Sequence, residues 1–153
     1  MMRLLRTWSC FRQPAQDYTP QATTLFSRFA ERHGLAYQAV DAPVEILWEF
    51  PEQVGLSLPM TLGLQNNDEL YFGVPGFWSY FFPFPKVASE FEQVLDAWVE
   101  GRARIARRGL TSRLQVPIGN GTWSTVYTAR GHLTWDHPSE FIQNIVAPHR
   151  PPP

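Results

Sequence analysis

The chain has 153 residues, of which 44% are hydrophobic and 18% charged, and a formal net charge of −1. A chain of this length buries about 68–70% of its unfolded surface when it folds as one domain. This composition excludes a disordered or collagen-like protein, and the single cysteine, Cys10, excludes an internal disulfide and a cysteine-based zinc site.

Residues 1–18 are basic and only partly apolar. They contain no uninterrupted hydrophobic core of the kind a leader needs, and a loosely ordered segment is expected there. No run in the chain reaches the ~18 apolar residues that span a bilayer, and a cytoplasmic location is the expectation. Residues 19–147 are expected to form one α+β domain, and the proline-rich residues 148–153 an extended tail.

Thr19-Pro20 followed by Gln21–His33 predicts a helix with Thr19 as its cap, Pro20 at its first position and Gly34 just past its end. Ala22, Leu25, Phe26, Phe29 and Ala30 fall on one face of it. Leu35–Val40 and Val44–Phe50 then read as strands joined through Asp41-Ala42-Pro43. In the second, Val44, Ile46, Trp48 and Phe50 share a face. Leu58, Met60, Leu62 and Leu64 alternate, and with the loop Gln65–Asp68 and the return Glu69–Val74 they predict a hairpin.

Tyr71–Phe84 is the densest feature of the chain, with eight aromatic residues in fourteen. Val74-Pro75-Gly76-Phe77 places Pro and Gly at the centre of a type II turn. Beyond it, Phe77, Ser79 and Phe81 face one side of a strand and Trp78, Tyr80 and Phe82 the other. Such a strand is either buried on both sides or has one side offered to a ligand or partner. Pro83 and Pro85 place it near a sheet edge.

A second helix is expected from Ser89, at a capping-box pattern, or a turn earlier at Lys86, and to stop at Gly101. Val87, Phe91, Val94, Leu95 and Trp98 form its apolar stripe. Continuation of that helix to Arg108 is the alternative to a strand over Arg102–Arg107. With the strand, Leu110–Val116 and Thr122–Arg130 complete a meander turning at Arg108-Gly109 and at Gly119-Asn120-Gly121. Pro138 is expected to begin a short helix bearing Phe141, Ile142, Ile145 and Val146. The sum is an α+β fold with a single, mainly antiparallel sheet of about seven strands. Two main helices pack on one face of it, and a short C-terminal helix follows.

Charge is segregated along the chain. Residues 1–40 hold five Arg and two acids (+3), residues 41–100 ten acids and one Lys (−9), and residues 101–153 seven Arg and two acids (+5). Either these segments neutralise one another across the fold, or a patch faces a charged partner. A turn at Arg108-Gly109 would set Arg104 opposite Arg113, with Arg102 on the same face. Like charges in that position require an acidic cover or an anionic ligand, unless the register differs.

Motifs for chemistry are lacking. Glu45 and Glu49 lie ~13 Å apart along a strand, too far for paired acid/base work. His132 and Asp136 are equally separated, and no nucleophile elbow or phosphate loop occurs. No metal and no cofactor is expected, and the acidic middle segment argues against nucleic acid. The leading expectation is a non-enzymatic protein-interaction domain of the adaptor, inhibitor or immunity type. It would bind a protein partner through Trp48, Phe77, Trp78, Tyr80 and Phe82, and a homodimer is compatible with this. The alternative is a small-molecule site in which Arg102, Arg104 or Arg113 holds an anionic or aromatic ligand. An enzyme without recognisable motifs comes third.

Overall fold

In the computed structural model, residues 16–130 and 141–146 are described. Helix α1 (Thr19–His33) is followed by strands β1 (Gln38–Ala39), β2 (Ile46–Phe50), β3 (Met60–Gln65), β4 (Glu69–Val74) and β5 (Phe77–Phe81). Helix α2 (Phe84–Val99) leads to β6 (Arg104–Arg108), β7 (Thr111–Gly119), β8 (Thr122–Arg130) and β9 (Phe141–Ile142). The strands form two antiparallel sheets, one in the order β1-β2-β3-β4-β5 and one in the order β8-β7-β6-β9. This corrects the single seven-stranded sheet. The edge strand β5 meets the edge strand β8 through side chains, with Tyr127 standing edge-on to Phe77 and tilted against Phe81.

The expected C-terminal helix is also overturned. Phe141 and Ile142 pair with Ala106 and Ile105 on the open edge of β6, and residues 143–146 are not helical. The apolar spacing from 141 to 146 suits a helix, but a segment so short gains little from helix formation. A waiting sheet edge satisfies its backbone at once. The expected start of that helix, at Pro138, lies outside the described residues.

Helix α1 forms where its stripe predicts, and Ala22, Leu25, Phe26, Phe29 and Ala30 are all buried. Its cap differs, because Thr19 is already helical. The Asp17 carboxylate accepts hydrogen bonds from the Thr19 amide and hydroxyl at 2.9 and 2.6 Å. Helix α2 begins at Phe84, earlier than the capping-box pattern suggests, with Pro85 in its first turn, where a missing N–H costs nothing. It ends before Gly101, whose φ is 71°, and the chain then enters β6.

Both helices cover one face of the five-stranded sheet. Phe26 stands edge-on to Trp48, Phe29 to Phe50, Phe72 to Trp98 and Phe81 to Phe91. Phe26, Phe29, Phe50, Phe72, Phe77 and Phe91 are fully buried. Each such ring contributes roughly 1.5–3 kcal/mol by its burial. The core continues as one cluster through Ala103, just ahead of β6, and through Ile105, Leu114 and Ile142 of the second sheet. An ion-pair clasp joins the helices. Arg28 holds Glu92 through two hydrogen bonds of 2.9 and 2.6 Å, and Arg32 and His33 reach Asp96 at 2.6 and 2.7 Å. Bases of the first forty residues thus neutralise acids of the middle segment.

Candidate functional site

The strand β5 separates its side chains cleanly. Phe77, Ser79 and Phe81 point into the core. Trp78 is 48% exposed, Phe82 is 63% exposed, and Tyr80 is half-buried. Period two and one covered face dictate this division. Among the described residues no helix or strand covers the other face, because both helices lie on the core side.

The register assembles that outer face. Leu47, Gly63, Tyr71 and Tyr80 stand in one row across β2, β3, β4 and β5. Glu49, Thr61, Gly73 and Trp78 stand in the next. Two glycines leave gaps in this surface, and neighbouring atoms use the space. A Cβ on Gly73 would lie 2.5 Å from the Tyr71 hydroxyl oxygen and 2.9 Å from its Cζ, so the ring lies along its own strand across the glycine. A Cβ on Gly63 would lie 2.9 Å from the Ile46 carbonyl oxygen.

Tyr71 divides two hollows. One, of about 180 Å³, is lined by Val44, Leu47, Gly63, Tyr71 and Tyr80 among others. The other, of about 260 Å³, lies against Pro59, Tyr71, Gly73, Pro75 and Trp78. A third, of about 440 Å³, includes Glu49 in its lining and shares Pro59 and Thr61 with the second. The rings tilt toward one another, with the Tyr71 and Tyr80 centroids 5.6 Å apart. Burial, then the neighbouring Tyr80 phenol, pushes the Tyr71 phenol above its ordinary pKa. The only charged residues within β1–β5 are Glu49 and Glu69. Glu69 is held by Gln65 and Asn66. Glu49 is exposed.

The other residues singled out in the sequence are distributed differently. Trp48 is 8% exposed and lies under Tyr37, which stacks on it at 4.0 Å, so it belongs to the core. Phe77 is fully buried. The residues sequence reasoning missed are Tyr71, Gly63 and Gly73. Gly63 and Gly73 fall at strand positions where a glycine with no turn to make signals close approach by a neighbour.

The arginines do not oppose one another. The turn between β6 and β7 centres on Gly109-Leu110, which sets Arg108 against Thr111, Ala106 against Arg113 and Arg104 against Gln115. Moving the turn by one residue moves each cross-strand partner by two and removes the expected clash of Arg104 with Arg113. The Arg104 guanidinium lies 3.8 Å from the centroid of Trp123 and 4.5 Å from that of Phe141, and its Nε donates to Gln115 Oε1 at 2.9 Å. Arg102 is paired with Glu100. Arg113 is exposed and has no carboxylate partner among the described residues. Strands β6–β9 carry Arg104, Arg107, Arg108, Arg113 and Arg130 and no acid, so the two sheets have opposite charge.

Among the described residues no group of three or more His, Cys, Asp or Glu side chains is placed to hold a metal ion. Cys10, His132 and Asp136 lie outside the described residues. No described helix is long and apolar enough to cross a membrane. Comparison with protein-family models, with curated proteins and with solved structures finds nothing that matches this chain.

Proposed function

We propose that this chain is a non-enzymatic interaction domain that holds a protein partner on the outer face of its β1–β5 sheet. The observation that supports this is the division of β5. Phe77 and Phe81 are consumed by the core, whereas Trp78 stands 48% exposed on an open sheet face beside Tyr71 and Tyr80. A large ring in that position adds little to folding, while Trp and Tyr are the residues that most often anchor interfaces. The surrounding surface carries the acid Glu49 and no base from the strands, which favours a partner of positive charge.

The test is affinity capture from a lysate of the source cells with the wild-type chain and with Trp78→Ala. A partner retained by the first and lost by the second supports the reading. The same set of proteins on both overturns it.

A second reading has its own supporting observation on the other sheet. Arg113 is exposed without a carboxylate among the described residues, and Arg104 is held between two aromatic rings. That arrangement suits a small anionic or aromatic ligand on the outer face of β6–β8. A rise in thermal midpoint with citrate or phosphate that disappears in Arg113→Ala would support it. No shift beyond that given by chloride at equal ionic strength would remove it.

A further inference from the structure

We infer that the outer face of the second sheet, β8-β7-β6-β9, binds a single strand of RNA. This rests on the second reading above, with a polymeric anion in place of a small one.

The register assembles the face in rows. Arg108, Thr111 and Arg130 stand in one row across β6, β7 and β8. Phe141, Ala106, Arg113 and Thr128 stand in the next, from β9 to β8. Arg104, Gln115 and Thr125 form the third. The alternate residues Ile105, Ser112, Leu114 and Ile142 are buried, so these rows face outward. Arg108, Arg113 and Arg130 are exposed, and none is paired with a carboxylate among the described residues. The acids of residues 41–100, which in the sequence argue against nucleic acid, do not stand among them. Glu92 and Asp96 are held by α1, Glu100 holds Arg102, and Glu49 and Glu69 belong to the other sheet.

The arrangement selects among anions. Strand geometry sets the Cα atoms of the three exposed arginines ~8–10 Å apart, a spread of charge that suits a chain of phosphates better than one small anion. Beside them the Arg104 guanidinium lies against both Trp123 and Phe141. Phe141 is 43% exposed and Trp123 half-buried, so both rings still meet solvent. Aromatic rings and guanidinium planes are what unpaired bases stack on, next to a basic track for the backbone. A duplex hides its base faces from such rings. An acidic peptide accounts for the arginines and leaves the rings unused. A membrane-binding surface joins its bases to an aliphatic patch, and here the exposed Leu110 and Ile118 lie at opposite ends of the sheet. Thr125, Thr128 and Gln115 on the same face offer hydroxyl and amide partners for the ribose 2′-OH, which favours RNA over DNA.

The experiment is fluorescence anisotropy of labelled oligouridylate titrated with the full chain. Oligothymidylate, duplex RNA, polyglutamate and phosphatidylserine vesicles serve as competitors. Oligouridylate is expected to bind saturably, oligothymidylate severalfold more weakly, and the other three at least tenfold more weakly. Arg113→Ala should weaken binding severalfold and lower the slope of log affinity against log salt by about 0.7. Adding Arg130→Ala should bring the total to about 1.4. Trp123→Ala should cost about tenfold in affinity, and Trp123→Phe, which keeps a ring, should restore most of it. Circular dichroism and thermal midpoints verify that the variants fold.

The inference is overturned if oligouridylate fails to bind at low salt, or if its binding is untouched by the double arginine variant or by Trp123→Ala. Equal or tighter binding of duplex RNA, polyglutamate or the vesicles would hand the face to that other class of partner. Equal or tighter binding of oligothymidylate would overturn the assignment to RNA. Failure here and failure of the small-anion reading are separable. A chain that ignores oligouridylate but gains thermal midpoint from citrate through Arg113 loses only the RNA. If neither ligand depends on Arg113, both fall.

Discussion

The Tyr71 ring occupies the space in which Gly73 would carry a side chain, on the same strand and the same face of the sheet. The contact makes the floor of one hollow and the wall of the next, and it ties the shape of the surface to a single hydrogen atom. Gly73→Ala should drive the Tyr71 ring off the strand. Because that ring is half-buried and able to swing outward, the cost to stability should be modest, about 1 kcal/mol. Gly63→Ala meets a backbone carbonyl oxygen, which cannot yield in this way, and should cost ~1–3 kcal/mol. Urea denaturation of the two variants checks the order, and equal or reversed effects would contradict it.

The clasp between α1 and α2 makes a pH prediction. The hydrogen bonds from Arg28, opposed by partial burial, hold the Glu92 carboxyl below its ordinary range. At Asp96 burial is the largest influence and acts upward, but Arg32 and His33 together outweigh it and hold that carboxyl low. A carboxylate with a depressed folded pKa contributes stability above its unfolded value, and the contribution is lost as pH falls through the folded one. Stability should therefore hold above about pH 4–5 and decline below it. Glu92→Gln should remove ~1 kcal/mol or less at pH 7 and flatten the acid limb, as followed by thermal midpoints across pH.

Asn144 pins the last described residues to the fold. Its side-chain amide donates to the Gly55 and Val99 carbonyls at 2.9 and 2.7 Å, and its Oδ1 accepts from the Ser57 amide at 2.7 Å. Asn144 is buried. Asn144→Ala leaves these three backbone groups unpaired and should cost roughly 2–3 kcal/mol. Asn144→Asp at neutral pH should cost more, since it turns a carboxylate toward two carbonyl oxygens. Denaturant midpoints of the pair at pH 7 provide the check.

Arg104 between Trp123 and Phe141 should resist conservative replacement. Lysine keeps the charge but loses the planar stack and the Nε bond to Gln115, and Arg104→Lys should cost ~0.5–2 kcal/mol. A substitution with no measurable effect would show that the stack adds nothing to stability.

Much of the first sheet was legible in the sequence, and each legible part has a local cause. Pro75-Gly76 fixes the turn between β4 and β5, with Gly76 at φ 80°. The alternation of Ile46, Trp48 and Phe50, and of Met60, Leu62 and Leu64, places those residues in the core. What failed depends on pairing between distant segments. Nothing local to β5 or β8 says that their edges meet through Tyr127 rather than through a ladder. Nothing local to Phe141 says that β6 has a free edge. The turn at Gly109-Leu110 was misplaced because Arg108-Gly109 and Gly109-Leu110 both offer a glycine, and one residue decides which arginines face each other. The candidate site was visible as an aromatic run, while its shape depends on two glycines and on Tyr71, whose conformation no pattern of residue types reports.

Whether Trp78 serves a partner, as proposed, or the fold is tested most directly by one paired measurement on Trp78→Ala. Its stability should remain within about 0.5 kcal/mol of wild type, as expected for an exposed position, while retention of the partner in affinity capture is lost. A loss of ~3 kcal/mol or more, the signature of a core aromatic, with capture intact would contradict it.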